Sequence, residues 1–413
     1  MCGARLDRRG RHPGPHLRVR AHRRGRTGEV TMSNDVAIVG IGMTKFGRQP
    51  GVTGRQMAVS AVHEACADAG VTWSDMQFAF GGTYSCGDAD TLISLLGLTG
   101  APFINVYNGC GTGGSSLISA ANAIKSGERD LGLVLGFDKH PPGAFNESPE
   151  NVGLGSWYGE TGFMVTTQFF ATKIQRYLHE WGVSPSALSL VAEKAYRNGS
   201  LSEKAWRQKP VAAEQIADAP MVNDPLTKLM FCSPGEGAVA LIVASAERAR
   251  TLTTAPVFLS SAELRSRRFG SFEVYSPWLS PHRVDSATTD ASRAAFEAAG
   301  VAPSDVQVAQ IQDTESGAEI MHMAETGLCE HGEQEKLLVD GETEIGGRIP
   351  VNTDGGVLAN GEPIGASGLR QVHEVVLQLR GQAGERQVPG GPSVGFTQVY
   401  GAPGISACTV LTR

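Results

Sequence analysis

The stretch AVHEACADAGVTWSDMQFA at residues 61–79 returns in altered form as ASRAAFEAAGVAPSDVQVA at residues 291–309. Nine of the nineteen positions are identical at this constant offset. Each copy has the apolar spacing of an amphipathic helix, then a glycine that predicts the end of the helix, a short turn and an apolar strand. The sequence therefore predicts a duplicated α/β fold.

The similarity between the two halves continues downstream. In the first half, strand-like FINVYN leads into GCGTGG at 109–114, a helix and the apolar strand LGLVLGF. In the second half, GGRIPVNTDGG leads into GEPIGASG at 361–368, a helix and the strand VGFTQVY. Apolar strands that alternate with helices are typical of buried sheets covered by helices. Pseudo-twofold symmetry between the halves would bring both glycine-rich loops to one central site.

The repeat divides the chain into three predicted segments. Residues 1–31 form a disordered or non-native Arg-rich extension before Met32, residues 32–250 the first half, and residues 251–413 the second half. The first half includes an insertion at about 140–230 that is too long and too patterned for a linker. Three interpretations of this insertion remain open: a cover over the site, an oligomer interface or additional core.

Charge and cysteine usage exclude several classes of protein. Residues 1–31 carry a net charge of +7 and the whole chain −6, so the remainder carries −13, which argues against a broad nucleic-acid-binding surface. No apolar run approaches the about 20 residues of a membrane span. The seven cysteines are dispersed and form no CxxC pair, which argues against disulfides and structural zinc and favours a reducing cytoplasm. We predict a cytoplasmic protein with no metal site and no bound cofactor.

Cys110 is the candidate nucleophile. It lies between two glycines just before a predicted helix, where free backbone N–H groups and the helix dipole favour an anion. This setting is expected to lower the thiol pKa, and the same N–H groups can hold a developing oxyanion. The alternative is a small buried packing residue, which is the usual role of a free cysteine. The other six cysteines lack this arrangement.

Several ordered motifs resemble the thiolase superfamily. VAIVGIGMTKFG at 36–47 resembles the opening strand of thiolases, and NVYNGCGTGGSSLISAANAIKSGERDLGLVLGFDK resembles their nucleophile loop, helix and strand. DAPMVNDPLTKLMFCSPGEGAVALIV and VNTDGGVLANGEPIGASGLRQ are similar to the lipid-transfer-protein (SCP-x-like) branch. The resemblance implies a duplicated five-layered αβαβα fold with two central mixed sheets. It also implies a homodimer or dimer of dimers, a coenzyme A thioester substrate and an acyl group carried on Cys110.

Three motifs depart from that branch. Its members usually carry a catalytic His in a GHP motif, and this chain reads GEP at 361–363. Where they support an oxyanion site, this chain reads QDT at 312–314. They often end with a Cys-x-Gly motif that supplies a second acid/base, and this chain reads VYGAPG at 399–404.

The replacing residues are candidate catalytic groups. An ionised Glu362 would repel an enolate oxygen, so it serves as a base or, if burial keeps it protonated, as a hydrogen-bond donor. Gln312 can orient a water or a carbonyl. Tyr400 can replace the missing cysteine as a proton donor or acceptor. Structural hydrogen bonding or simple lining of the site remains the alternative for each. From the same loops we predict substrate contacts for Gly401, Gly365, Asn352 and His140.

Three functions remain open. The first is an acyl-CoA acyltransferase that makes or breaks a carbon–carbon bond through acyl-Cys110, in lipid, steroid or aromatic acyl metabolism. The second is a retro-aldolase acting on a β-hydroxyacyl-CoA, favoured by the loss of the usual His and Cys. The third is a non-catalytic acyl-CoA- or lipid-binding subunit. Members of this branch often pair with a small OB-fold protein that bears a zinc ribbon, so a separate partner of this type is a further hypothesis.

Overall fold

The structure, a computed structural model, describes residues 35–253, 255–273, the backbone of 276–277, 284–402 and 404–413. The predicted extension at 1–31 and the start at Met32 lie outside the described residues. The strands are β1 (Val36–Met43), β2 (Ala79–Gly82), β3 (Phe103–Asn105), β4 (Leu131–Lys139), β5 (Met221–Asn223), β6 (Leu226–Thr227), β7 (Glu236–Ser245), β8 (Val257–Ser266), β9 (Phe272–Glu273), β10 (Ser276–Pro277), β11 (Val308–Ile311), β12 (Val394–Gly401) and β13 (Ile405–Thr412).

Helices connect and cover these strands. They are α1 (Gly54–Ala69), α2 (Ile93–Leu96), α3 (Thr112–Lys125), α4 (Trp157–Glu160), α5 (Thr166–Trp181), α6 (Ser186–Ser200), α7 (Ala213–Ala217), α8 (Ala246–Leu252), α9 (Ala287–Ala299), α10 (Ser316–Glu325), α11 (Gln334–Val339), α12 (Gly356–Asn360) and α13 (Ser367–Arg380).

The sequence repeat has the same local structure in both halves. Helices α1 and α9 end at Gly70 and Gly300, whose φ angles of 68° and 65° are left-handed, as the two glycines predict. A short 3₁₀ turn follows each glycine. In each turn an aspartate, Asp75 or Asp305, accepts a hydrogen bond from the backbone N–H three residues earlier, at 2.8 and 2.9 Å. Strands β2 and β11 come next, so the duplicated helix–turn–strand unit is confirmed.

The strands of both halves join in one mixed sheet. Its order is β11-β12-β13-β8-β1-β7-β4-β2-β3, with parallel pairs only at β11–β12, β4–β2 and β2–β3. The expected two mixed sheets thus meet edge to edge through the antiparallel pairing of β1 with β8. Helix α8 connects β7 to β8 and contains the predicted boundary at 250/251. The three-segment division itself stays a prediction.

Helices α3 and α13 form the central layer. They pack on each other, and their apolar faces share one core with alternate residues of β1, such as Val36 and Ile38. The intervening residues, Ala37 and Val39, face α1 on the other side of the sheet. Helix α9 covers the outer face of β8 and β13. Helix α1, the strands of the first half, the α3–α13 layer, the strands of the second half and α9 thus stack as the five layers of an αβαβα arrangement.

The insertion at 140–230 forms a hydrophobic core together with residues of the second half. Helices α5 and α6 bury Ile174, Leu188 and Val191 against the second half, where Ile320 and Leu358 belong to the same cluster. One of the three interpretations, additional core, therefore holds for α5 and α6. The cavity described below shows that the segment also covers the site.

A close backbone contact joins the two halves. The α-carbon of Gly136, in β4, faces the carbonyl of Gly365, which lies in the loop before α13. A methyl group at Gly136 would overlap that carbonyl oxygen, and backbone cannot move aside as a flexible side chain can.

Gly136→Ala is therefore expected to lower the free energy of unfolding by about 1–3 kcal/mol, because the added methyl group pushes the two halves apart. Gly346→Ala is the matched control, since nothing lies within 4 Å of its added methyl group. Urea unfolding monitored by circular dichroism measures both. Equal stability of the two variants would contradict the tight contact.

Candidate active site

The loop that carries Cys110 is fixed from both sides. Cys110 precedes Gly111, the residue at the start of α3. The Thr112 hydroxyl accepts a hydrogen bond from the Asn108 N–H at 2.9 Å and donates one to the Gly109 carbonyl at 2.6 Å. Gly109 has a left-handed φ of 55°. The loop is therefore a tight, internally bonded turn that presents Cys110 at the helix N-terminus.

A loop of the second half packs directly on this turn. A methyl group on Gly401 would lie 2.5 Å from the Asn108 carbonyl oxygen and 2.6 Å from the Gly111 nitrogen. One on Gly109 would lie 2.7 Å from the Ala402 carbonyl oxygen. The predicted meeting of the two glycine-rich loops is a separate contact, in which a methyl group on Gly113 would lie 3.4 Å from the Gly365 carbonyl oxygen. Gly401 was expected to bind substrate, and the structure gives it a packing role under the Cys110 turn.

A cavity of about 360 Å³ opens in front of Cys110. Aromatic and aliphatic side chains supply much of its wall, among them Tyr84, Tyr107, Phe145, Phe170, Phe231, Ile364 and Tyr400. Residues 143–170 of the insertion contribute Phe145 and Phe170, so the insertion covers the site. Such a cavity, apolar with a few polar groups, is typical of a small-molecule site.

Glu362 lies behind Cys110 and is completely buried. Its carboxylate lies close enough to the Cys110 thiol to raise the pKa of that thiol. The Ser367 hydroxyl donates to Oε1 at 2.6 Å, and the Gln312 amide donates to Oε2 at 2.8 Å. Burial raises the pKa of Glu362, although the Ser367 hydroxyl, the Cys110 thiol and the cation of Arg370 oppose the rise. The carboxylate is thus positioned to accept a proton from the thiol.

The pKa of Cys110 is raised, not lowered. Burial is the largest cause, and the negative charge of Glu362 is the next. The expectation of a lowered pKa from the helix N-terminus is wrong in direction, because desolvation and a neighbouring carboxylate outweigh the helix dipole. Cys110 therefore depends on a base for its nucleophilicity.

Tyr400 lines the cavity from β12 and is only 5% exposed. Its hydroxyl donates a 2.6 Å hydrogen bond to the Glu273 carboxylate, and the ammonium of Lys173 lies 5.0 Å from its ring centre. Gln312, by contrast, reaches the site through its hydrogen bond to Glu362. The structure therefore brings Cys110, Glu362, Gln312 and Tyr400 to one region, with Tyr400 attached to a separate carboxylate.

His140 and Gly365 support the wall of the cavity. The His140 Nε2 lies 3.3 Å from the Ile364 backbone nitrogen and 3.6 Å from an oxygen of Asp138. The N–H of Gly365 donates to Asp138 at 2.7 Å. These contacts orient the backbone at Ile364, which lines the cavity. His140 and Gly365, both predicted to bind substrate, thus hold a lining residue in place.

Asn352 does not reach the cavity. Its side-chain oxygen accepts from the Ile311 N–H at 2.9 Å, and its amide donates to Glu319 at 2.8 Å. Its left-handed φ of 55° is one that asparagine tolerates better than most residues. The structure thus replaces the predicted substrate contact of Asn352 with a structural role in a buried turn.

The chain is similar to known proteins over most of its length. Residues 280–413 match the family described as Thiolase C-terminal domain-like. An acetyl-CoA acetyltransferase of Methanothermobacter thermautotrophicus is 34% identical over 393 residues, which cover 92% of this chain and 100% of that protein. This chain belongs to the thiolase superfamily.

Two further similarities place this thiolase-family enzyme more closely. Sterol carrier protein 2 of Bos taurus is 31% identical over 87% of this chain and 69% of its own length. A solved structure named "Ltp2-ChsH2(DUF35) aldolase" is 25% identical with a TM-score of 0.82, covering 93% of this chain and 99% of that chain. The predicted superfamily and the thiolase-like fold are confirmed.

This thiolase contains a site residue that sequence reasoning set aside. Cys232 lines the same cavity as Cys110, and the pKa of its thiol is raised by burial and by the charge of Glu362. Cys232 lacks the glycine turn that singled out Cys110, and the sequence analysis gave it no role in the site. The signal was its motif FCSPGEG, which resembles the family but carries no glycine turn before a helix.

The described part of the chain lacks two features. There, no group of three or more His, Cys, Asp or Glu side chains is placed to hold a metal ion. No helix among the described residues combines the length and apolar character needed to cross a bilayer.

The thiol reactivity of this thiolase tests the Cys110–Glu362 contact. Glu362→Gln is expected to increase the alkylation rate of Cys110 by iodoacetamide near pH 8. The substitution removes a negative charge that raises the thiol pKa, and each unit of pKa lowered gives about tenfold more thiolate. Peptide mass spectrometry measures Cys110 separately from Cys232. Glu385→Gln, at an exposed residue away from the cavity, is the control and should behave like wild type. Slower alkylation in Glu362→Gln would contradict the assigned contact.

Proposed function

We propose that this enzyme transfers acyl groups between coenzyme A thioesters, making or breaking a carbon–carbon bond through an acyl-Cys110 intermediate. The position of the buried Glu362 carboxylate beside the Cys110 thiol carries this proposal. A thiol with a raised pKa needs a base, and Glu362 contacts it directly. The printed names of the similar proteins, which include an acetyl-CoA acetyltransferase, support the substrate class.

The first step joins Cys110 to the acyl group. The Cys110 sulfur attacks the 3-oxo carbon of a 3-oxoacyl-CoA while its proton passes to Glu362. The carbonyl π electrons move onto oxygen, where N–H groups at the start of α3 stabilise the charge. The oxygen then re-forms the carbonyl, the bond between carbons 2 and 3 breaks, and the shortened acyl-CoA departs as its enolate.

A second proton transfer completes the reaction. The enolate carbon must gain a proton in the cleavage direction, and the same carbon must lose one in synthesis. Tyr400 lies on the cavity wall and takes the place of the cysteine that the family usually supplies. Coenzyme A then attacks the acyl-Cys110 carbonyl, its thiol proton passes to a base, and the sulfur of Cys110 leaves.

The cavity favours an apolar acyl group. None of the described residues that line it, among them Tyr84, Phe145 and Phe170, supplies a cation for a second carboxylate at the acyl end. Lipid, steroid and aromatic acyl chains all fit this chemistry. The similarity to sterol carrier protein 2 supports a place in lipid or steroid acyl metabolism.

A retro-aldolase acting on a β-hydroxyacyl-CoA is the second candidate. One observation favours it: Tyr400, next to the place where the family resemblance expects the second catalytic cysteine, is hydrogen-bonded to a carboxylate. The 25% identical structure named an aldolase supports this reaction. In this case Tyr400 would take the hydroxyl proton of the substrate, and Cys110 would form no bond to it.

Mass spectrometry after incubation with a panel of 3-oxoacyl-CoAs and acyl-CoAs separates the two functions. An acyl adduct is expected on Cys110 in wild type and absent in Cys110→Ala. Glu362→Gln should slow adduct formation about 10²–10⁴-fold, which is the usual contribution of a general base. Cys232→Ser is the matched control and should still be acylated at Cys110.

The pH dependence gives the same test a sign. Only ionised Glu362 accepts the thiol proton, and its pKa is raised, so the acylation rate should fall as pH drops through a value above the ordinary 4.5 of a glutamate. Aldehyde or ketone release from a β-hydroxyacyl-CoA that survives Cys110→Ala would replace acyl transfer with aldol cleavage. Turnover of no substrate in the panel would favour the binding subunit.

We also propose that two copies of the chain associate through β3. This strand ends the nine-stranded sheet, and the exposed apolar residues Leu98, Ile104 and Tyr107 lie on or beside it. An edge strand with exposed apolar side chains is a template for pairing with another chain. The family resemblance favours a second copy as the occupant. A separate OB-fold, zinc-ribbon protein stays a second proposed partner, supported by the component named ChsH2(DUF35) in the similar structure.

Ile104→Asp is expected to shift the protein from dimer to monomer in light scattering at micromolar concentration, because a buried charge at the interface is costly. Val339→Asp, at an exposed apolar residue of α11, is the control and should leave the dimer intact. A monomeric wild type would contradict pairing through β3.

A further inference from the structure

The partner of Tyr400 is a buried ion pair. Glu273, on β9, accepts the Tyr400 hydroxyl at 2.6 Å on its Oε2. The Nζ of Lys173, on α5, lies 3.4 Å from the same oxygen and 5.0 Å from the centre of the Tyr400 ring. The Glu273 side chain is 1% exposed and that of Lys173 is 11% exposed. A charged pair has thus been built against the tyrosine that lines the acyl cavity.

The pair also lines a second, smaller opening. Lys173 and Glu273 border a cleft of about 90 Å³, together with Glu325 and the surface residues Arg176 and Glu180. The side chains of Arg176 and Glu180 are 36% and 41% exposed, so the cleft opens to solvent. Tyr400 lines the Cys110 cavity on the other side. Its hydroxyl therefore connects, through Glu273, to a solvent opening distinct from that cavity.

Charged groups from several elements surround the pair. Helix α5 supplies Lys173 and Arg176, and helix α10 supplies Glu325, whose carboxylate bonds to the His322 ring at 2.7 Å. The side chain of Arg267, which follows β8, packs near Glu273 beside Gly404. Glu273 and Glu325 raise the pKa of Lys173 against the effect of burial, so the ammonium stays charged. Glu273 accordingly has a permanent cation beside it.

We propose that Glu273 is the proton acceptor of Tyr400, that Lys173 sets its basicity, and that protons exchange with solvent through this cleft. The inference rests on the proposed acid/base role of Tyr400. When Tyr400 removes a proton from the α-carbon of an acyl-CoA, the C–H electron pair becomes the enolate. The new proton binds the phenolic oxygen, and the original hydroxyl proton passes to Oε2 of Glu273. The protonated Glu273 then releases that proton to water in the cleft.

A purely structural role explains the arrangement less well. A neutral amide or a backbone carbonyl would hold the Tyr400 hydroxyl without burying two charges, and burying an ion pair gains little stability on balance. Unlike an amide, a carboxylate can take up the proton of the group that donates a hydrogen bond to it. The ammonium of Lys173, 3.4 Å away, supplies the counter-charge for that carboxylate.

Deuterium exchange at the α-carbon of acetyl-CoA in D₂O, followed by NMR, tests the relay. Glu273→Gln is expected to reduce the exchange at least tenfold and to leave acylation of Cys110 by acyl-CoAs within twofold of wild type. Lys173→Met should shift the acidic limb of the exchange–pH profile to higher pH, because loss of the cation favours protonated Glu273. Arg176 lies on the same helix and borders the same cleft, but it is paired with Glu180. The exchange–pH profile of Arg176→Met should therefore match that of wild type.

The outcomes separate the relay from the proposed function. Wild-type exchange by Glu273→Gln, or an unshifted profile in Lys173→Met, would overturn the relay. Equal loss of exchange and of Cys110 acylation in Glu273→Gln would also overturn it, since that pattern marks a structural role. Glu273→Asp keeps a carboxylate and should therefore exchange faster than Glu273→Gln if the relay holds. Exchange by Glu273→Asp that is no faster than exchange by Glu273→Gln would count against the relay. Absence of any Cys110 adduct in wild type, with exchange intact, would remove the acyl-enzyme and leave the relay standing.

Discussion

The chemistry of this protein depends on one pair, the Cys110 thiol on the cavity wall and the buried carboxylate of Glu362 behind it. Burial and the charge of Glu362 raise the pKa of the Cys110 thiol, whereas the neighbouring thiol lowers the pKa of Glu362. The pair therefore holds one proton between its two members. A thiol in this state is inert until a substrate carbonyl arrives, at which point the carboxylate takes the proton and the sulfur becomes a nucleophile. This differs from a thiolate stabilised in advance by a helix dipole.

The duplicated fold exists around this pair because each half supplies one member. The turn before α3 carries Cys110, and the loop before α13 carries Glu362. The contact of Gly136 with Gly365, and that of Gly401 with the Cys110 turn, fix the two loops at backbone distance. Small residues at these positions let the halves approach closely enough for two side chains to share a proton. The insertion then covers the site with aromatic side chains.

Much of this could be predicted from the sequence, and the reason lies in periodicity. The copies at 61–79 and 291–309 encode local structure, so the helices, the glycines that end them and the strands follow directly. Cys110 was found because a glycine turn before a helix is also a local signal. Glu362, Gln312 and Tyr400 were found because they replace residues in motifs that resemble a family. Long-range packing gives no local sequence pattern. For this reason the sequence analysis assigned Asn352 to the substrate although it lies in a buried turn, and it gave Cys232 no role. The pKa of Cys110 was predicted with the wrong sign, because burial and the carboxylate of Glu362 arise only in the folded chain.

The most direct test of the central claim is a crystal structure of the protein frozen during reaction with a slowly turned-over 3-oxoacyl-CoA. The account predicts continuous density from the Cys110 sulfur to an acyl carbon in the cavity, with a Glu362 oxygen within hydrogen-bond distance of that sulfur. An intact thioester in the cavity with the Cys110 sulfur turned away from Glu362 would contradict it.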